Sequence, residues 1–283
     1  DYLGLCVRVL ITGASGYLGS RLLSKINKKK YSVFGVSLNG KGITKSYNLT
    51  SVVSITKMIR RSNPDCIIHC AGFVPTEQSG YKDSKKNMSN EIMTRNLLEL
   101  TSCPVLYISS MTVYGGSHSG PFNEYLACFP ETAYAQSKLD GERIIKGDGR
   151  GGFAVRIPGL FGLPRRSGLV HNLLMAAKNK ADFYFPDTPI LWSGMHVEDA
   201  ADAILNLLPK INGRFTEVNV GYSGKLSLTT LVDTVNELYR TDIRVELEYP
   251  YFEFDLSRYK NLTSAALPNF RDSIEKAGAE IDK

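Results

Sequence analysis

Short runs of β-branched and aliphatic residues alternate along the chain with longer segments in which apolar residues recur every three or four positions. The short runs are typical of buried strands and the longer segments of amphipathic helices. We predict strands at 7–11, 31–36, 66–70, 105–109, 153–156, 215–220 and 243–247. We predict helices from about 18, and at 50–61, 84–100, 134–145, 170–178, 197–208 and 228–239.

Strands that alternate with helices at this spacing indicate a parallel sheet with right-handed crossovers, covered by helices on both faces. The alternation is regular up to about residue 157 and less regular beyond Pro158. We therefore predict an α/β fold in which 1–157 form mainly a dinucleotide-binding domain. Residues 158–283 are expected to form mainly a smaller substrate-binding lobe, with some elements returning to the first domain.

Three glycines, Gly13, Gly16 and Gly19, join the first predicted strand to the first predicted helix. In a dinucleotide-binding turn, the first glycine permits a sharp turn, the second lets the backbone approach a pyrophosphate, and the third lets the helix pack against the strand. The N–H groups that begin the helix then face the anion. This predicts a Rossmann-type, doubly wound sheet, with a glycine-rich turn in another α/β protein as the alternative. No Gly-Lys-Ser/Thr follows, which excludes a P-loop.

The composition is that of an ordinary soluble globular protein, with 43% hydrophobic and 22% charged residues among 283. The net charge of +6 suits an anionic small substrate or simply solubility. Five cysteines without a framework spacing indicate a reducing compartment, so we expect a cytoplasmic protein. We expect no signal peptide, no membrane span, no metal site and no nucleic-acid partner.

The end of the second predicted strand bears on cofactor preference. An acidic residue that binds the ribose of NAD is expected about 20 residues beyond the glycines, but Ser37 stands there. A 2′-phosphate is therefore not repelled, and Ser37, Lys41 or Lys45 is within the right stretch to contact it. This favours NADP(H) over NAD(H). The alternative is that Ser37 merely turns the chain.

Candidate chemistry lies at Ser110, Tyr134 and Lys138. Ser110 follows a predicted strand, and Tyr134 and Lys138 are four residues apart, which places them on one face of a helix. An ammonium group near a phenol favours the phenolate and lowers its pKa, which suits tyrosine for proton transfer. The Ser110 hydroxyl is a candidate to hold a substrate oxygen within reach of that phenol.

Over nearly its whole length the chain resembles the extended short-chain dehydrogenase/reductase family, which includes NAD-dependent epimerases and dehydratases. The motifs that carry the resemblance are T-G-A-S-G-Y-L-G at 12–19, P-D-C-I-I-H-C-A-G at 64–72, N-E-I-M-T-R-N-L-L-E at 90–99, S-S-M-T-V-Y-G at 109–115, Y-A-Q-S-K at 134–138 and H-V-E-D-A-A-D-A-I at 196–204. The short segment between the second strand and Pro64 is similar to the sugar-nucleotide 4-keto reductases.

The resemblance implies roles. Tyr134 would be the catalytic acid/base, Lys138 would hold the nicotinamide ribose and lower the Tyr134 pKa, and Ser110 would bind the reacting oxygen. Asn90 would belong to the supporting catalytic relay. The implied cofactor site comprises Gly13, Ser15, Gly16, Tyr17, Leu18, Ser37, Asn48, Leu49, Cys70, Ala71, Gly72, Tyr134, Lys138 and Ile157. The implied substrate site comprises Val74, Ser110, Met111, Thr112, Tyr134, Asn172 and Trp192.

Departures from the family pattern narrow the reaction. Met111-Thr112 stand where sugar-nucleotide dehydratases carry Asp-Glu, which argues against water elimination. Trp192 replaces an arginine that commonly grips the substrate diphosphate, for which Arg165, Arg166 and Arg258 are possible substitutes. Asn48 stands where the family often has Asp near the adenine, or else it caps the next helix.

We therefore expect an NADP(H)-dependent reductase of a nucleotide-linked 4-keto-6-deoxy sugar, with NAD(H) as the alternative cofactor. The alternatives in function are a nucleotide-sugar epimerase with a retained nicotinamide and a non-catalytic, cofactor-binding regulatory subunit. The resemblance also implies a homodimer through the helices at 90–100 and 134–145.

Overall fold

The computed structural model describes residues 7–116, 120–185, 190–247 and 249–282. Its strands are β1 Val7–Thr12, β2 Tyr31–Ser37, β3 Lys45–Ser46, β4 Cys66–His69, β5 Val105–Ser110, β6 Gly152–Ile157, β7 Gly159–Phe161, β8 Gly194–His196 and β9 Phe215–Asn219. Its α-helices are α1 Tyr17–Lys25, α2 Val52–Ser62, α3 Gln78–Lys82, α4 Ser84–Glu99, α5 Ala133–Asp148, α6 Leu169–Asn179, α7 Val197–Leu207, α8 Leu228–Tyr239, α9 Ser257–Thr263 and α10 Phe270–Ile281.

Seven strands form one sheet in the order β3-β2-β1-β4-β5-β6-β9, and every pair in it is parallel. The predicted doubly wound α/β sheet is therefore confirmed. Strand order reverses between β1 and β4, and a crevice at the carboxyl ends of the strands is expected at such a reversal. Register brings Thr12 beside His69 and Ser110 beside Ile157, so these strand ends lie at one edge.

The sheet is buried on both faces. Successive side chains of a strand point to opposite faces, and an apolar cluster covers each face. Val9 and Ile11 belong to one apolar cluster, together with residues of α1 and α7. Leu10 belongs to a second cluster, on the face covered by α2, α4 and α5. The continuous apolar runs in the sequence reflect this two-sided burial.

The chain after Pro158 forms a small parallel pair, β7 and β8, which α7 and α10 contact. The helices α6 and α8 pack on each other and on α10. β9 then joins the main sheet beside β6, and α7 packs against α1. The second half of the chain therefore contributes both to the main sheet and to a smaller group of elements around β7 and β8, called here the second lobe.

The expected strand at 243–247 is wrong, because this segment is irregular and pairs with no described strand. The backbone of Ile243 bonds to the side chain of Asn236 instead. Asn236 accepts from the Ile243 N–H at 2.9 Å and donates to the Ile243 carbonyl at 2.8 Å. Among the ranges given above, no helix combines the length and apolar character needed to span a bilayer.

Candidate active site

The glycine turn lies in close contact with the end of β4 and with α1. Gly13 has φ +66°, and a Cβ atom there would lie 2.7 Å from the Ala71 nitrogen. A Cβ on Gly19 would lie 2.2 Å from the Gly13 carbonyl oxygen. Gly16 is exposed and caps α1 without a side-chain hydrogen bond. These features fit a turn that receives a pyrophosphate on its backbone N–H groups.

The side chains around the turn serve different ends. Ser15 is half-buried beside a cleft, whereas Leu18 packs into the core, so only its backbone faces the turn. The Tyr17 hydroxyl donates to the Gly162 carbonyl at 2.5 Å, and the Arg165 guanidinium lies 4.5 Å from the Tyr17 ring centroid. Tyr17 therefore ties the turn to the second lobe.

Ser37 and Asn48, which were expected near the adenosine, use their side chains in hydrogen bonds to residues close in sequence. The buried Ser37 hydroxyl accepts from the Gly40 N–H at 3.2 Å and lies 3.3 Å from the Thr44 hydroxyl, so it shapes the following loop. Asn48 accepts from the N–H and hydroxyl of Thr50, a local turn before α2. The helix itself is capped by Ser51, so the capping role left open above for Asn48 is wrong. Leu49 is buried, and its carbonyl accepts from Asn96.

A cleft of about 520 Å³ opens between α1 and the loop after β2. Its lining residues are Ala14, Ser15, Ser20, Leu23, Ser24, Lys28, Lys41, Gly42, Ile43 and Thr44. The lining carries two ammonium groups and no carboxylate, which suits an anionic ligand. Ser37 is not among its lining residues, and Lys45 lies next to it in sequence.

The end of β4 is held by a buried chain of hydrogen bonds. Thr94 donates its hydroxyl to the Asn90 carbonyl at 2.9 Å, so it accepts from His69 Nε2 at 3.3 Å. His69 Nδ1 then accepts from the Thr12 hydroxyl at 2.7 Å, whose oxygen accepts from the Ala71 N–H at 3.2 Å. Burial, with the nearby Lys138 charge, lowers the pKa of His69 to about 3, so the ring stays neutral.

Cys70 and Gly72 complete the β4 end. Burial raises the pKa of the Cys70 thiol to about 12, so it is protonated at neutral pH. A Cβ on Gly72 would lie 3.2 Å from Asn90 Oδ1 and 3.4 Å from Lys138 Nζ. Glycine at this position therefore leaves room beside both polar groups. Within the described residues, no cluster of three or more His, Cys, Asp or Glu could hold a metal ion.

Asn90 joins three elements through its side chain. Its Oδ1 accepts from the Phe73 N–H at 2.6 Å, and its Nδ2 donates to the Phe73 carbonyl at 3.1 Å and to Ser137 Oγ at 3.0 Å. Both amide hydrogens are thus used to fix the loop after β4 and α5. The expected part of Asn90 in a catalytic relay stays a prediction.

Ser110 ends β5 with its hydroxyl in a defined orientation. Its Oγ accepts from the Thr112 N–H at 3.2 Å and from the Thr112 hydroxyl at 2.9 Å. Because two donors occupy the lone pairs, the Ser110 hydroxyl is the donor in its hydrogen bond with Tyr134. Met111 is buried in an apolar cluster behind the site.

Tyr134 stands near the start of α5, 8% exposed. Burial raises its pKa well above the ordinary value, Tyr81 adds to the rise, and a hydrogen bond with Ser110 opposes it. The expected lowering of this pKa by Lys138 is wrong, because desolvation of the phenolate dominates. Tyr134 therefore keeps its proton at neutral pH and is poised as an acid.

Lys138 lies one turn further along α5. Its Nζ donates to the Ile108 carbonyl at 3.0 Å and lies 5.9 Å from the Tyr134 ring centroid. Burial lowers its pKa to about 8, and Cys70 and Glu142 oppose this. Two further donors remain on the ammonium beside Gly72, where a ribose hydroxyl of a cofactor could be held.

Glu142 was missed by the sequence analysis, although its place four residues after Lys138 was a usable signal. It is 2% exposed, and its carboxylate contacts Arg156 at 2.6 and 3.0 Å and accepts from Ser109. The Arg156 guanidinium also lies 4.8 Å from the Tyr114 ring centroid. This ion pair joins α5 to β6, which ends at Ile157.

The remaining substrate candidates are scattered. Val74 is half-exposed on the loop after β4, and Asn172 is exposed on α6. Trp192 packs edge-on against Phe270 of α10, with centroids 6.0 Å apart, so much of its surface serves the second lobe. Arg258 donates to the Glu217 carbonyl and pairs with Glu124, which engages it within the protein.

Curated relatives match parts of the chain. Methionine adenosyltransferase 2 subunit beta of Xenopus laevis is 27% identical over 159 residues, which is 55% of this chain and 47% of that protein. The match therefore spans about half the length of that relative. Spore coat polysaccharide biosynthesis protein SpsK of Bacillus subtilis (strain 168) is 25% identical over 228 residues, 80% of this chain and 78% of that one.

A solved structure shares the whole fold. The dTDP-4-dehydrorhamnose reductase of Bacillus anthracis in complex with NADP has a TM-score of 0.80 and 21% identity, and covers 98% of this chain and 99% of that one. The sequence profile of the NAD dependent epimerase/dehydratase family matches residues 9–221. With its glycine turn, parallel sheet and Ser-Tyr-Lys cluster, the chain belongs to the NAD dependent epimerase/dehydratase family.

Proposed function

We propose that the protein is an NADP(H)-dependent reductase of a nucleotide-linked 4-keto-6-deoxy sugar. One observation carries the proposal. A buried, protonated Tyr134 and the Ser110 hydroxyl that is hydrogen-bonded to it lie at the carboxyl edge of the sheet, beside a glycine turn shaped for a dinucleotide.

The chemistry follows from protonation states. A bound nicotinamide cofactor supplies a hydride for the carbonyl carbon. Ser110 donates to the carbonyl oxygen and orients it, and Tyr134 delivers a proton to the same oxygen as charge develops there. Lys138 holds a hydroxyl of the cofactor ribose with the donors of its ammonium group. Met111-Thr112 offer no acid/base pair for water elimination.

The cleft beside Ser15 supports NADP(H) as the cofactor. Lys28 and Lys41 offer charge for a 2′-phosphate, and no carboxylate lines the cleft to bind the 2′-hydroxyl of NAD(H) or repel the phosphate. We assign this contact to the lysines rather than to Ser37, whose hydroxyl is used within its own loop.

Two other functions remain alternatives. An epimerase would use Tyr134 and a retained nicotinamide to oxidise and re-reduce one sugar. The second alternative is a non-catalytic, cofactor-binding regulatory subunit, and the Xenopus laevis relative is by name a subunit of methionine adenosyltransferase 2. The intact Ser110, Tyr134 and Lys138 support an active enzyme instead.

The experiment that tests the proposal mixes purified protein with NADPH and a panel of nucleotide-linked 4-keto-6-deoxy sugars. Nicotinamide absorbance and the sugar product are followed together. One mole of NADPH oxidised per mole of reduced sugar supports the reductase. An isomerised sugar without net NADPH oxidation would identify an epimerase, and NADPH binding without any turnover would favour a regulatory subunit.

We also propose a cytoplasmic homodimer formed through α4 and α5. These helices pack on each other, and α4 exposes the side chains of Met88 and Ile92, 55% and 40% accessible. Sedimentation of wild type against Ile92→Glu tests this, since a charge at a buried apolar contact should shift the population to monomer.

A further inference from the structure

The loop between β4 and α4 brings a second tyrosine onto the catalytic one. Tyr81, in the short helix α3, packs edge-on against Tyr134, with ring centroids 5.6 Å apart and planes at 84°. This edge-to-face arrangement is the one that the charge distribution of aromatic rings favours. Tyr81 itself is half-buried.

Two buried asparagines of α4 hold the loop that carries Tyr81. Asn87 donates to the carbonyls of Gly80 and Asp83, at 2.9 and 2.8 Å. Asn90 lies three residues further on, on the same face of α4, and hydrogen-bonds to both the N–H and the carbonyl of Phe73. The bonds from Asn87 hold the backbone on both sides of Tyr81, so that backbone cannot move away from α4 without breaking buried hydrogen bonds.

Close packing supports the same arrangement. A Cβ on Gly80 would lie 3.0 Å from Pro75 Cβ, so the loop folds tightly on itself before Tyr81. α3 contacts both α4 and α5, the helix that carries Tyr134 and Lys138. The loop therefore forms one wall of the candidate site.

We propose that Tyr81 is a positioning residue for the proposed reductase, whose ring holds the ring of Tyr134 in the orientation that presents the phenol to the substrate oxygen. This rests on the proposed function. Tyr81 acts through Tyr134, because a rotated phenol would deliver its proton along a poor path.

The electrostatic surroundings of Tyr134 give the proposal a second signature. The titratable groups near it are Tyr81 on α3, Tyr107 on β5 and Lys138 on α5. The negative charge that the Tyr81 hydroxyl would carry as a phenolate contributes to the raised pKa of Tyr134. Removal of that hydroxyl should lower the Tyr134 pKa, so the proton needed for reduction is lost at a lower pH.

Three variants and a control separate these effects. Tyr81→Leu removes the ring and should lower kcat roughly three- to tenfold, with the KM for NADPH unchanged. Tyr81→Phe keeps the ring and should restore kcat at neutral pH to within about twofold, while the alkaline limb of its kcat profile moves to lower pH. Asn87→Ala loosens the loop and should lower kcat in the same direction as Tyr81→Leu.

The control is Tyr239→Leu, which truncates another half-buried tyrosine in α8 of the second lobe. It should lower thermal stability and leave kcat and its pH profile at wild-type values. Wild-type kcat in Tyr81→Leu, or equal damage from Tyr81→Phe and Tyr81→Leu, would overturn the proposal.

A measurement without turnover keeps the proposal separate from the proposed function. In protein labelled with ¹³Cζ-tyrosine, the signal that disappears in Tyr134→Phe belongs to Tyr134. That signal should move in Tyr81→Leu and stay in place in Tyr239→Leu. If wild type reduces no 4-keto sugar, the proposed function fails while this signal still decides the contact. If reduction occurs and the signal does not move, the inference about Tyr81 fails alone.

Discussion

Replacement of Glu142 by glutamine should destabilise the protein severely, because it leaves the charge of Arg156 buried without its partner. The two residues are 2% and 3% exposed, and two hydrogen bonds of 2.6 and 3.0 Å join them. Arg156 Nη1 already lacks a hydrogen-bond partner among the described residues, so no replacement acceptor for the guanidinium is at hand there. Loss of one partner of a buried ion pair costs about 3–5 kcal/mol.

The assay is urea unfolding of wild type and Glu142→Gln, with the free energy of unfolding taken from the linear range. Asp242→Asn is the matched control, because it breaks an ion pair with Arg244 whose side chains are 80% and 81% exposed. The control should unfold like wild type. The double variant Glu142→Leu, Arg156→Met should recover at least half of the loss, since apolar replacement removes both charges together. A loss below about 1 kcal/mol in Glu142→Gln would refute the reasoning.

Further predictions concern single side chains. The pKa of Lys138 is lowered to about 8 from 10.5, so the unfolded chain binds more protons between these values and stability should rise with pH there. In wild type the free energy of unfolding should rise by about 3 kcal/mol in total between pH 7 and 10.5. Lys138→Met should abolish that rise. Lys41→Glu should weaken NADPH binding at least tenfold and leave NADH binding unchanged, as measured by titration calorimetry. An equal loss of affinity for both cofactors would show that the cleft does not select between them. Lys57→Glu, a charge reversal on α2 outside that cleft, is the control.

The main sheet could be predicted because each of its long strands is a buried apolar run that glycine or a polar turn ends. The predicted strand at 243–247 failed for a physical reason. Its alternating pattern suits a strand, but a strand needs a neighbouring strand to bond its backbone. Here the side chain of Asn236 bonds the backbone of Ile243 instead. The helix at 270–281 was missed because Ala277 and Gly278 fill places where a larger apolar side chain would have revealed the period.

The candidate site divides in the same way. Ser110, Tyr134 and Lys138 could be found because strand ends and helical spacing place them without knowledge of the rest. The raised pKa of Tyr134 could not, because it depends on burial by elements far apart in sequence. The partner of Glu142 lies on β6, and the hold of Asn87 on the Tyr81 loop depends on where α4 runs. Such contacts are fixed only by the folded chain.

The central claim is that Tyr134 delivers the proton, and the most direct test is Tyr134→Phe assayed beside wild type. NADPH oxidation with the accepted nucleotide-linked sugar and NADPH affinity should be measured on the same preparations. The phenylalanine keeps the ring and removes the acid, so kcat should fall at least about 100-fold while the Kd for NADPH stays within about twofold. A variant that retains more than about a tenth of the wild-type kcat would contradict the account.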